Sequence, residues 1–574
     1  MKKLYPYLPV IQWISSYKKS YLKGDLSAGI TVGVMLIPQG MAYALIAGLP
    51  PVYGLYASIV PPIIYALFGT SRQLSVAPVA MDSLLVAAGV TLLATEGTDA
   101  YIGFAILLAF FVGSFQLALG FLKMGFITNL LSKPVISGFT SAVAVLIGLN
   151  QIKYLLGIPL EKSSNAFLIF WNAVQQLEHT HLLTLLIGVS GILIIKGTKH
   201  LQRNFPGALL AVALGILAVY FFPLEEHGVS ILNTIPKGLP SFQLPNFDLV
   251  QWSELVPLAL TLSVIGYVEA FSIGKAIASK RKDHEISPNQ ELIGIGAANL
   301  FGSLFQSFPV SGGFSRSAVN EQSGASTPLS SIVSAMIIGL TLLFLTPIFK
   351  YLPEAILASV IMVAVSGLIN LGFARKLWKE NKIEFWLLIV TFLVTLIFSM
   401  VPGIITGVVL SILLLLYRLA YPHIARLGRL KDSSEFRNLK RFNDLEVWDE
   451  ILILRVDAPI TFINIQNIKD YIDSAVNTNE KVKTLIIDGA SISHIDASAV
   501  EVLNDLLNTL QNRNITVLMA ELIGPVRDTL HQTGLLKAIG EKNIFLTLND
   551  AVNKSNSSDY KHREAALQHN RSTL

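Results

Sequence analysis

The sequence of 574 residues contains no cysteine and has few charged side chains. The absence of cysteine excludes disulfides, thiolate metal sites and cysteine nucleophiles. Only 14% of the residues are charged and 52% are hydrophobic, whereas ordinary soluble domains are roughly 25% charged. Together with a mean hydropathy of +0.58, this balance predicts a polytopic membrane protein.

The sequence also lacks the patterns of a signal peptide and of an enzyme. The first 25 residues carry lysines but no apolar run followed by a small-residue cleavage site. The 10 histidines form no metal-ligand spacing, and no nucleophile has a credible base beside it. GIGAAN at 294–299 resembles a dinucleotide fingerprint, but no strand precedes it, so we interpret it as helix packing. We therefore expect no enzyme activity, no metal and no cofactor beyond a coupling H⁺ or Na⁺.

Apolar segments long enough to span or half-span a bilayer fill the chain up to residue 421. Lys and Arg concentrate in alternate loops, which predicts that both termini are cytoplasmic, and the net charge of +5 reflects this orientation rather than nucleic-acid binding. We expect a multi-pass protein of the plasma (inner) membrane, with a cytoplasmic segment at 1–25 and a transmembrane domain at 26–421. The fourteen predicted segments are 26–46, 50–68, 75–94, 101–121, 128–149, 181–196, 206–223, 254–277, 289–305, 313–323, 329–349, 354–371, 384–401 and 403–420.

A glycine-, serine- and proline-rich break at residues 301–323 interrupts this apolar region. Irregular backbone at membrane depth survives only where it is buried in protein or lines a polar cavity. Pro309 ends any incoming helix, Gly312 and Gly313 leave the backbone unshielded, and a new helix can follow. Its N-terminus, with Ser315 and Arg316 in the first turn, would offer free N–H groups to a small anion.

A short internal repeat in the sequence predicts that this break has a counterpart. Phe68-Gly69-Thr70 precedes the broken third segment, and Phe301-Gly302-Ser303 precedes the broken tenth segment. Each half of the chain would then hold seven segments, and the second half would be inserted upside down. In such an inverted repeat the two broken segments meet near the membrane midplane.

Several polar side chains in the apolar segments are candidates for the transport chemistry, and each has a structural alternative. Glu269 is either a proton or coupling-ion site or a permanent ion-pair partner of Arg316. Gln39 and Tyr43, one turn apart, either face the anion cavity or hydrogen-bond a neighbouring helix. The hydroxyls of Ser311 and Ser315 either contact an oxyanion or cap the helix.

A soluble pattern begins after residue 421. We predict a basic linker at 422–436, a compact cytoplasmic α/β domain at 437–553 and a disordered tail at 554–574. The predicted strands are 451–456, 484–488, 515–519 and 544–548, and the clearest helix is 498–512.

The sequence contains the stretches IPQGMAYALIAGLPPVYGLY (37–56), FGTSRQLSVAPVA (68–80), YVEAFSIGKAIA (267–278) and NQELIGIGAANLFGSLFQSFPVSGGFSRSAVNEQSGASTPLS (289–330), followed by the C-terminal α/β unit. Together they resemble the sulfate permease (SulP) family of anion transporters. The resemblance implies a helical membrane domain with a seven-plus-seven inverted repeat, in which a core moves against a gate. It also implies a homodimer with a cytoplasmic α/β STAS domain on each protomer.

The resemblance also implies residue roles. Proton-coupled sulfate permeases have a glutamate where Glu269 stands, while bicarbonate carriers of the family use a carboxylate and a hydroxyl of this helix for sodium, as Glu269 and Ser272 could. In the STAS unit Ser498 corresponds to the phosphorylated serine of anti-anti-sigma factors, although it could equally be an N-cap. The implied substrate-binding residues are Gln39, Tyr43, Ala77, Pro78, Val79, Gly312, Gly313, Phe314, Ser315 and Arg316.

We therefore predict a secondary active transporter of small inorganic anions, with sulfate first, driven by protons or sodium through an elevator-type movement. The alternatives are a sodium-dependent bicarbonate or dicarboxylate carrier, a passive anion channel or exchanger, a nucleobase permease and a sensor that signals through its STAS domain. The expected partners are the anion, the lipid bilayer, a second copy of the chain and a cytoplasmic partner of the STAS domain, but no nucleic acid.

Overall fold

The computed structural model describes residues 8–129, 132–160, 165–201, 207–232, 236–247, 252–281, 285–398 and 400–556. The chain divides into two compact units, Met1–Ser411 and Ile412–Leu574. The division falls within the last apolar helix, slightly before the predicted end of the transmembrane domain. Most of the predicted tail, residues 557–574, and the first seven residues of the predicted N-terminal segment lie outside the described residues.

The first unit is helical apart from two very short strands. Up to the first break its elements are α1 (Pro9–Ser15), α2 (Lys19–Ile46), α3 (Pro51–Tyr56), α4 (Val60–Phe68), β1 (Val76–Ala77) and α5 (Ala80–Val90). There follow α6 (Asp99–Phe121), α7 (Lys133–Leu156), α8 (Ala166–Gln175), α9 (Leu182–Leu201), α10 (Gly207–Phe221), α11 (Leu255–Arg281) and α12 (Pro288–Ser303). The unit continues with β2 (Ser311–Gly312), α13 (Phe314–Gln322), α14 (Leu329–Leu340), α15 (Glu354–Ser366), α16 (Leu371–Glu380), α17 (Lys382–Phe398) and α18 (Met400–Ala420).

Every one of the fourteen predicted apolar segments contains at least one of these helices. Eight helical stretches within the described residues are long and apolar enough to cross a membrane, and several shorter apolar helices accompany them. The molecule is therefore a multi-pass helical membrane protein, while the count of fourteen crossings stays a prediction. Helix α8 lies between the fifth and sixth predicted segments.

Small residues let α6 and α12 pack in close contact. A Cβ added at Gly113 would lie 2.3 Å from the backbone nitrogen of Leu300, and one added at Gly296 would lie 2.7 Å from that of Leu117. Only glycine allows two membrane helices to approach so closely at these points. The interpretation of GIGAAN as helix packing is confirmed.

The two breaks in the helices meet each other. Strands β1 and β2 pair antiparallel, with Val76 opposite Gly312 and Ala77 opposite Ser311. Each strand leads into a short helix, α5 after β1 and α13 after β2. This antiparallel meeting of the third and tenth segments is the arrangement that an inverted repeat predicts.

The second unit is an α/β domain built on a seven-stranded sheet in which β6, β7, β8 and β9 run parallel and β3 runs antiparallel to β6. The sheet has a hydrophobic core on each face. Alternate residues of β6 enter one core or the other, because successive strand residues face opposite sides. Its elements are β3 (Ile424–Leu430), β4 (Phe436–Asn438), β5 (Leu445–Glu446), β6 (Ile451–Val456), α19 (Ile465–Thr478), β7 (Thr484–Asp488), α20 (Ala497–Asn512), β8 (Thr516–Ala520), α21 (Gly524–Gln532), α22 (Leu535–Ile539), β9 (Ile544–Phe545) and α23 (Leu548–Asn556).

Two sequence predictions about this unit are wrong in detail. The segment 422–436 is not a linker, because β3 lies within it and pairs with β6. Ala425 and Leu427 of β3 are buried, but Arg426 lies between them and Arg429 follows. These basic residues give the segment the composition of a linker, so the strand was not predicted. The predicted strand 544–548 ends at Phe545, since the hydroxyl oxygen of Thr547 accepts a hydrogen bond from Asp550 N (3.2 Å) where α23 begins.

Candidate anion-binding site

The N-termini of α5 and α13 lie where the two breaks meet. Helix α5 begins after Val79 and α13 begins after Gly313, and neither terminus has a side-chain cap among the described residues. The first N–H groups of each helix therefore lack an intrahelical or side-chain acceptor. Together with the positive ends of the two helix dipoles, they form an environment suited to an anion.

Buried polar side chains hold the irregular backbone before α13. Asn299 of α12 accepts a hydrogen bond from Val310 N at 2.8 Å and donates one to Val310 O at 3.0 Å. Its amide also donates to Gln116 of α6 at 3.1 Å. In this way backbone groups that lipid could not satisfy find partners inside the protein. Sequence reasoning missed Asn299 because its partner groups are set by the fold.

The paired glycines are needed for close approach. A Cβ at Gly312 would lie 2.7 Å from Leu74 Cδ1 and 3.0 Å from Ala270 Cα. A Cβ at Gly313 would lie 2.6 Å from the guanidinium carbon of Arg316. Gly312 thus lets the β2 backbone contact α11, and Gly313 leaves room for the Arg316 side chain.

Arg316 is buried at the meeting of the two breaks, with only 2% of its surface exposed. Its Nη2 donates to the backbone oxygen of Ala77 at 3.3 Å, and its Nε has no hydrogen-bond partner within the described part of the chain. Pro78 and Val79 follow Ala77, link β1 to α5 and are buried as well. The predicted site residues of the third segment and Arg316 are therefore brought together.

Tyr43 of α2 and Glu269 of α11 belong to the same cluster. Tyr43 is buried, and its phenol lies within electrostatic range of Arg316 and Glu269. Glu269 Oε2 is buried without a hydrogen-bond partner among the described residues. Glu269 is thus near Arg316, but the free Oε2 and the free Arg316 Nε do not form the permanent pair considered from the sequence. Gln39, one turn before Tyr43, is buried with its Oε1 likewise unpartnered in the described chain.

The remaining predicted site residues differ from this buried cluster. Phe314 and Ser315 in the first turn of α13 are exposed, as is Ser272, one turn after Glu269. Ser311 is fully buried, and its hydroxyl donates to Gly266 O of α11 at 2.7 Å. The Ser311 proton is therefore engaged in joining β2 to α11.

Asp82 is an ionisable residue of the cluster that the sequence analysis missed. It lies in the first turn of α5, is 2% exposed, and its Oδ1 has no hydrogen-bond partner within the described residues. Its charge interacts with that of Glu269. The sequence signal was available, since a lone carboxylate inside an apolar segment is the same observation that singled out Glu269.

A cavity of about 650 Å³ approaches the cluster from the C-terminal side of α5. Leu45 and Leu84 are among its lining residues, and they follow Tyr43 and Asp82 by two positions each. Helices α7, α11 and α15 form the other walls, and Lys153 and Glu354 are among the charged residues of the lining. Its volume lies within the range of small-molecule binding pockets.

Comparison with known proteins now decides the family. The model of the sulfate permease family matches residues 22–391, and the model of the STAS domain matches residues 444–551. The chain belongs to the sulfate permease family. The family consists of transporters, in keeping with the expectation that the chain is not an enzyme.

Relatives of this permease extend over almost its whole length. It is 39% identical to the probable sulfate transporter 4.2 of Arabidopsis thaliana and 38% identical to the chloroplastic sulfate transporter 4.1 of that plant. The two alignments cover 95% of this chain and 83% and 82% of those proteins. The structure of the murine anion transporter Slc26a9 in its inward-facing state superposes with a TM-score of 0.89 at 25% identity, covering 96% of this chain and 94% of that one.

The STAS unit of the permease contains the predicted regulatory residue Ser498. It lies exposed in the first turn of α20. The helix is capped by Asp496, whose Oδ1 accepts from Ala499 N at 2.8 Å and whose Oδ2 accepts from Phe462 N at 2.7 Å. The N-cap role considered for Ser498 is therefore wrong, while its role as a phosphorylation site stays a prediction.

Proposed function

We propose that the chain is a secondary active transporter that takes up sulfate together with protons. The observation that carries the proposal is the buried guanidinium of Arg316 between two uncapped helix N-termini. A guanidinium taken out of water is costly unless a counter-charge accompanies it. A sulfate between β1–α5 and β2–α13 would supply that charge and accept from the free Nε and the N–H groups. The names of the relatives support sulfate as the substrate.

In this proposal Glu269 is the coupling group. Its unpartnered Oε2 is close enough to Arg316 for the two charges to interact. An ionised Glu269 competes with the dianion for Arg316, whereas a protonated Glu269 does not. Proton binding therefore favours sulfate binding, and by linkage sulfate binding favours proton binding.

The remaining expectations complete the proposed cycle. The core would carry the anion across the membrane in an elevator-type movement against the gate, in an inner membrane and with both termini in the cytoplasm. A second copy of the chain and a cytoplasmic partner of the STAS domain are further proposed partners, with Ser498 as the candidate switch.

The experiment is uptake of radiolabelled sulfate into proteoliposomes under an inward proton gradient and, separately, an inward sodium gradient. Wild type should accumulate sulfate under the proton gradient. Glu269→Gln, which mimics the protonated form, should still bind and exchange sulfate but should lose gradient-driven accumulation. The matched control is Lys280→Gln, a change of charge on the same helix, because Lys280 is 68% exposed in a surface ion pair with Glu321.

Three results would contradict parts of the proposal. Uptake driven by the sodium gradient alone would mean that sodium, and not the proton, is the coupling ion. Absence of sulfate uptake under both gradients would reject sulfate and make bicarbonate the next substrate to test. Accumulation by Glu269→Gln at the wild-type level would remove Glu269 from coupling.

A further inference from the structure

Asp82 and Glu269 are neighbours on the surface of α11, although they come from different segments of the chain. A Cβ added at Gly266 would lie 3.4 Å from Asp82 Oδ2, so the Asp82 carboxylate rests directly against α11 at that point. Glu269 follows Gly266 by three residues on the same helix, which places both on one face, about 4.5 Å apart along the axis. The two carboxylates therefore lie within one helical turn of each other.

Neither carboxylate is fully satisfied by hydrogen bonds. Asp82 Oδ1 and Glu269 Oε2 are both buried and without a partner in the described part of the chain. Asp82 is 2% exposed, so bulk solvent does not reach its unpartnered Oδ1. A buried carboxylate that is ionised and unpartnered is strongly destabilised, whereas a neutral carboxyl is tolerated.

The other charged and titratable groups around the pair are few. Tyr43 of α2 and Arg316 of α13 interact with Glu269. On α11, Lys275 is exposed. The hydroxyl of Tyr267 donates to Gly125 O at 3.0 Å and is not hydrogen-bonded to either carboxylate. Helices α6 and α7, which also pack against α5, have ionisable side chains only in their terminal turns. Arg316 is thus the single cation that we identify beside two carboxylates in the described residues.

This charge balance makes anion binding depend on both carboxyls. Two carboxylates beside one guanidinium leave an excess negative charge before a dianion arrives. Asp82 also lies in the first turn of α5, so its ionised form occupies the positive helix end that the anion would use. Two like charges this close do not ionise independently.

We propose that Asp82 is a second proton-binding residue of the permease, which shares its titration with Glu269 and must be neutral for sulfate to bind. This inference rests on the proposed function. A proton enters from the outer solution, binds a carboxylate oxygen of Asp82, travels inward with the anion and leaves to the inner solution. The transported sulfate is thereby accompanied by protons on both carboxyls.

A sodium ion is the other cation that two carboxylates could hold. The structure favours the proton, because the buried guanidinium of Arg316 beside the two carboxyls would repel a metal ion. Within the described residues there is also no group of three or more His, Cys, Asp or Glu that could hold a metal. Sodium is therefore an outcome of the test and not the proposal.

The test counts the protons taken up per bound sulfate in the purified full-length protein, by calorimetry in buffers of different ionisation enthalpy. Asp82→Asn should lower the count by about one, because one titrating group is lost. In proteoliposomes the ratio of uptake at acidic pH to uptake at neutral pH should fall about fivefold or more. Asp82→Glu should keep the wild-type count. Ser83→Ala, which changes a buried hydroxyl in the same turn, is the control for packing and should behave as wild type.

A wild-type proton count and pH profile in Asp82→Asn would overturn the proposal. The proposal would also be overturned if the variant took up one sodium ion fewer per bound sulfate, with the proton count unchanged. If Asp82→Asn does not give a monodisperse protein, a reduced count in Asp82→Glu would contradict the proposal instead.

A second measurement needs no substrate and separates this inference from the proposed function. The infrared signal of protonated carboxyls is followed against pH in the lipid-embedded wild type, Asp82→Asn and Glu269→Gln. Each substitution should alter the titration of the remaining carboxyl, since the pair is coupled. Unchanged titration would reject the pair even if sulfate uptake is observed, and altered titration would support it even if the substrate proves to be another anion.

Discussion

Two pairs of carboxylates in the transport unit have opposite surroundings. Glu291 of α12 accepts from Tyr65 Oη at 2.7 Å, Thr70 N at 2.6 Å and Ser71 N at 3.0 Å. Asp25 of α2 accepts, through its two oxygens, from Ser326 N and from the N–H and hydroxyl of Thr327. In contrast, Asp82 and Glu269 each have a buried oxygen without a partner among the described residues.

The comparison separates carboxylates that hold the fold from carboxylates that can change charge. Glu291 ties α4 and the start of the first break to α12, and Asp25 ties α2 to the loop after α13. A carboxylate that accepts several hydrogen bonds is fixed in position by its donors. A buried carboxylate that lacks donors is costly when ionised, and such groups are found where function requires them.

The largest effect should come from removing Glu291. In Glu291→Ala, Tyr65 Oη, Thr70 N and Ser71 N lose their acceptor, and each buried donor left unsatisfied costs about 1–3 kcal/mol. We expect a destabilisation on the order of 3 kcal/mol or more, seen as loss of monodisperse protein or a lower melting temperature in detergent. The control Tyr65→Phe removes one donor and should lose much less. An unchanged melting temperature in Glu291→Ala would break the distinction between the two pairs.

Arg316→Gln should leave the fold less affected but should nearly abolish transport. The substitution removes the cation and its charge-assisted hydrogen bonds to the anion, which are worth about 1.5–3 kcal/mol each. Sulfate uptake should fall about 100-fold. Arg316→Lys, which keeps the charge but not the planar fork, should retain an intermediate activity. If Arg316→Gln transported sulfate normally, Arg316 would be a residue that holds the fold, as Glu291 and Asp25 do, and not part of the anion site.

The paired glycines allow the same distinction to be tested within two neighbouring residues. Alanine at Gly312 would press on Leu74 Cδ1 and on the Ala270 backbone, so we expect a loss of about 1–3 kcal/mol in stability. Alanine at Gly313 would press instead on the end of the flexible Arg316 side chain. It should reduce sulfate uptake while the melting temperature stays near that of wild type. Lost stability in Gly313→Ala together with lost uptake at normal stability in Gly312→Ala would contradict the geometry of the site.

The sequence was sufficient to predict the parts of the site that depend on local chemistry. Arg316, Glu269 and the glycine-rich break stand out because charge and irregular backbone are rare inside apolar segments. Asp82 carried the same signal and was overlooked, because its segment was interpreted only as the counterpart of the tenth. Contacts such as Asn299 with Val310 could not be predicted, since they depend on how α12 folds back beside the break.

In the second unit the partly exposed carboxylate of Asp457 extends the comparison and should give the smallest effect. Partial burial would raise the pKa of Asp457, but hydrogen bonds from Arg455 and His423 hold that pKa below its ordinary value. A lowered pKa means that the interaction stabilises the folded state above about pH 4. The stabilisation is lost as the pH falls through the lowered folded-state value.

Asp457→Asn should therefore destabilise this unit at neutral pH, by about 1 kcal/mol or less, as is usual for exposed ion pairs. Hydrogen exchange of peptides from β3 and β6 in the full-length protein measures the effect, because His423 precedes β3 and Arg455 lies in β6. The variant should exchange faster than wild type at neutral pH, and the difference should shrink in acid. Asp449→Asn is the matched control, since Asp449 is 78% exposed and pairs with a lysine that is 73% exposed. A difference that grew as the pH fell would mean that Asp457 is stabilised in its protonated form, as we infer for Asp82, and the contrast between hydrogen-bonded and unpartnered carboxylates would fail.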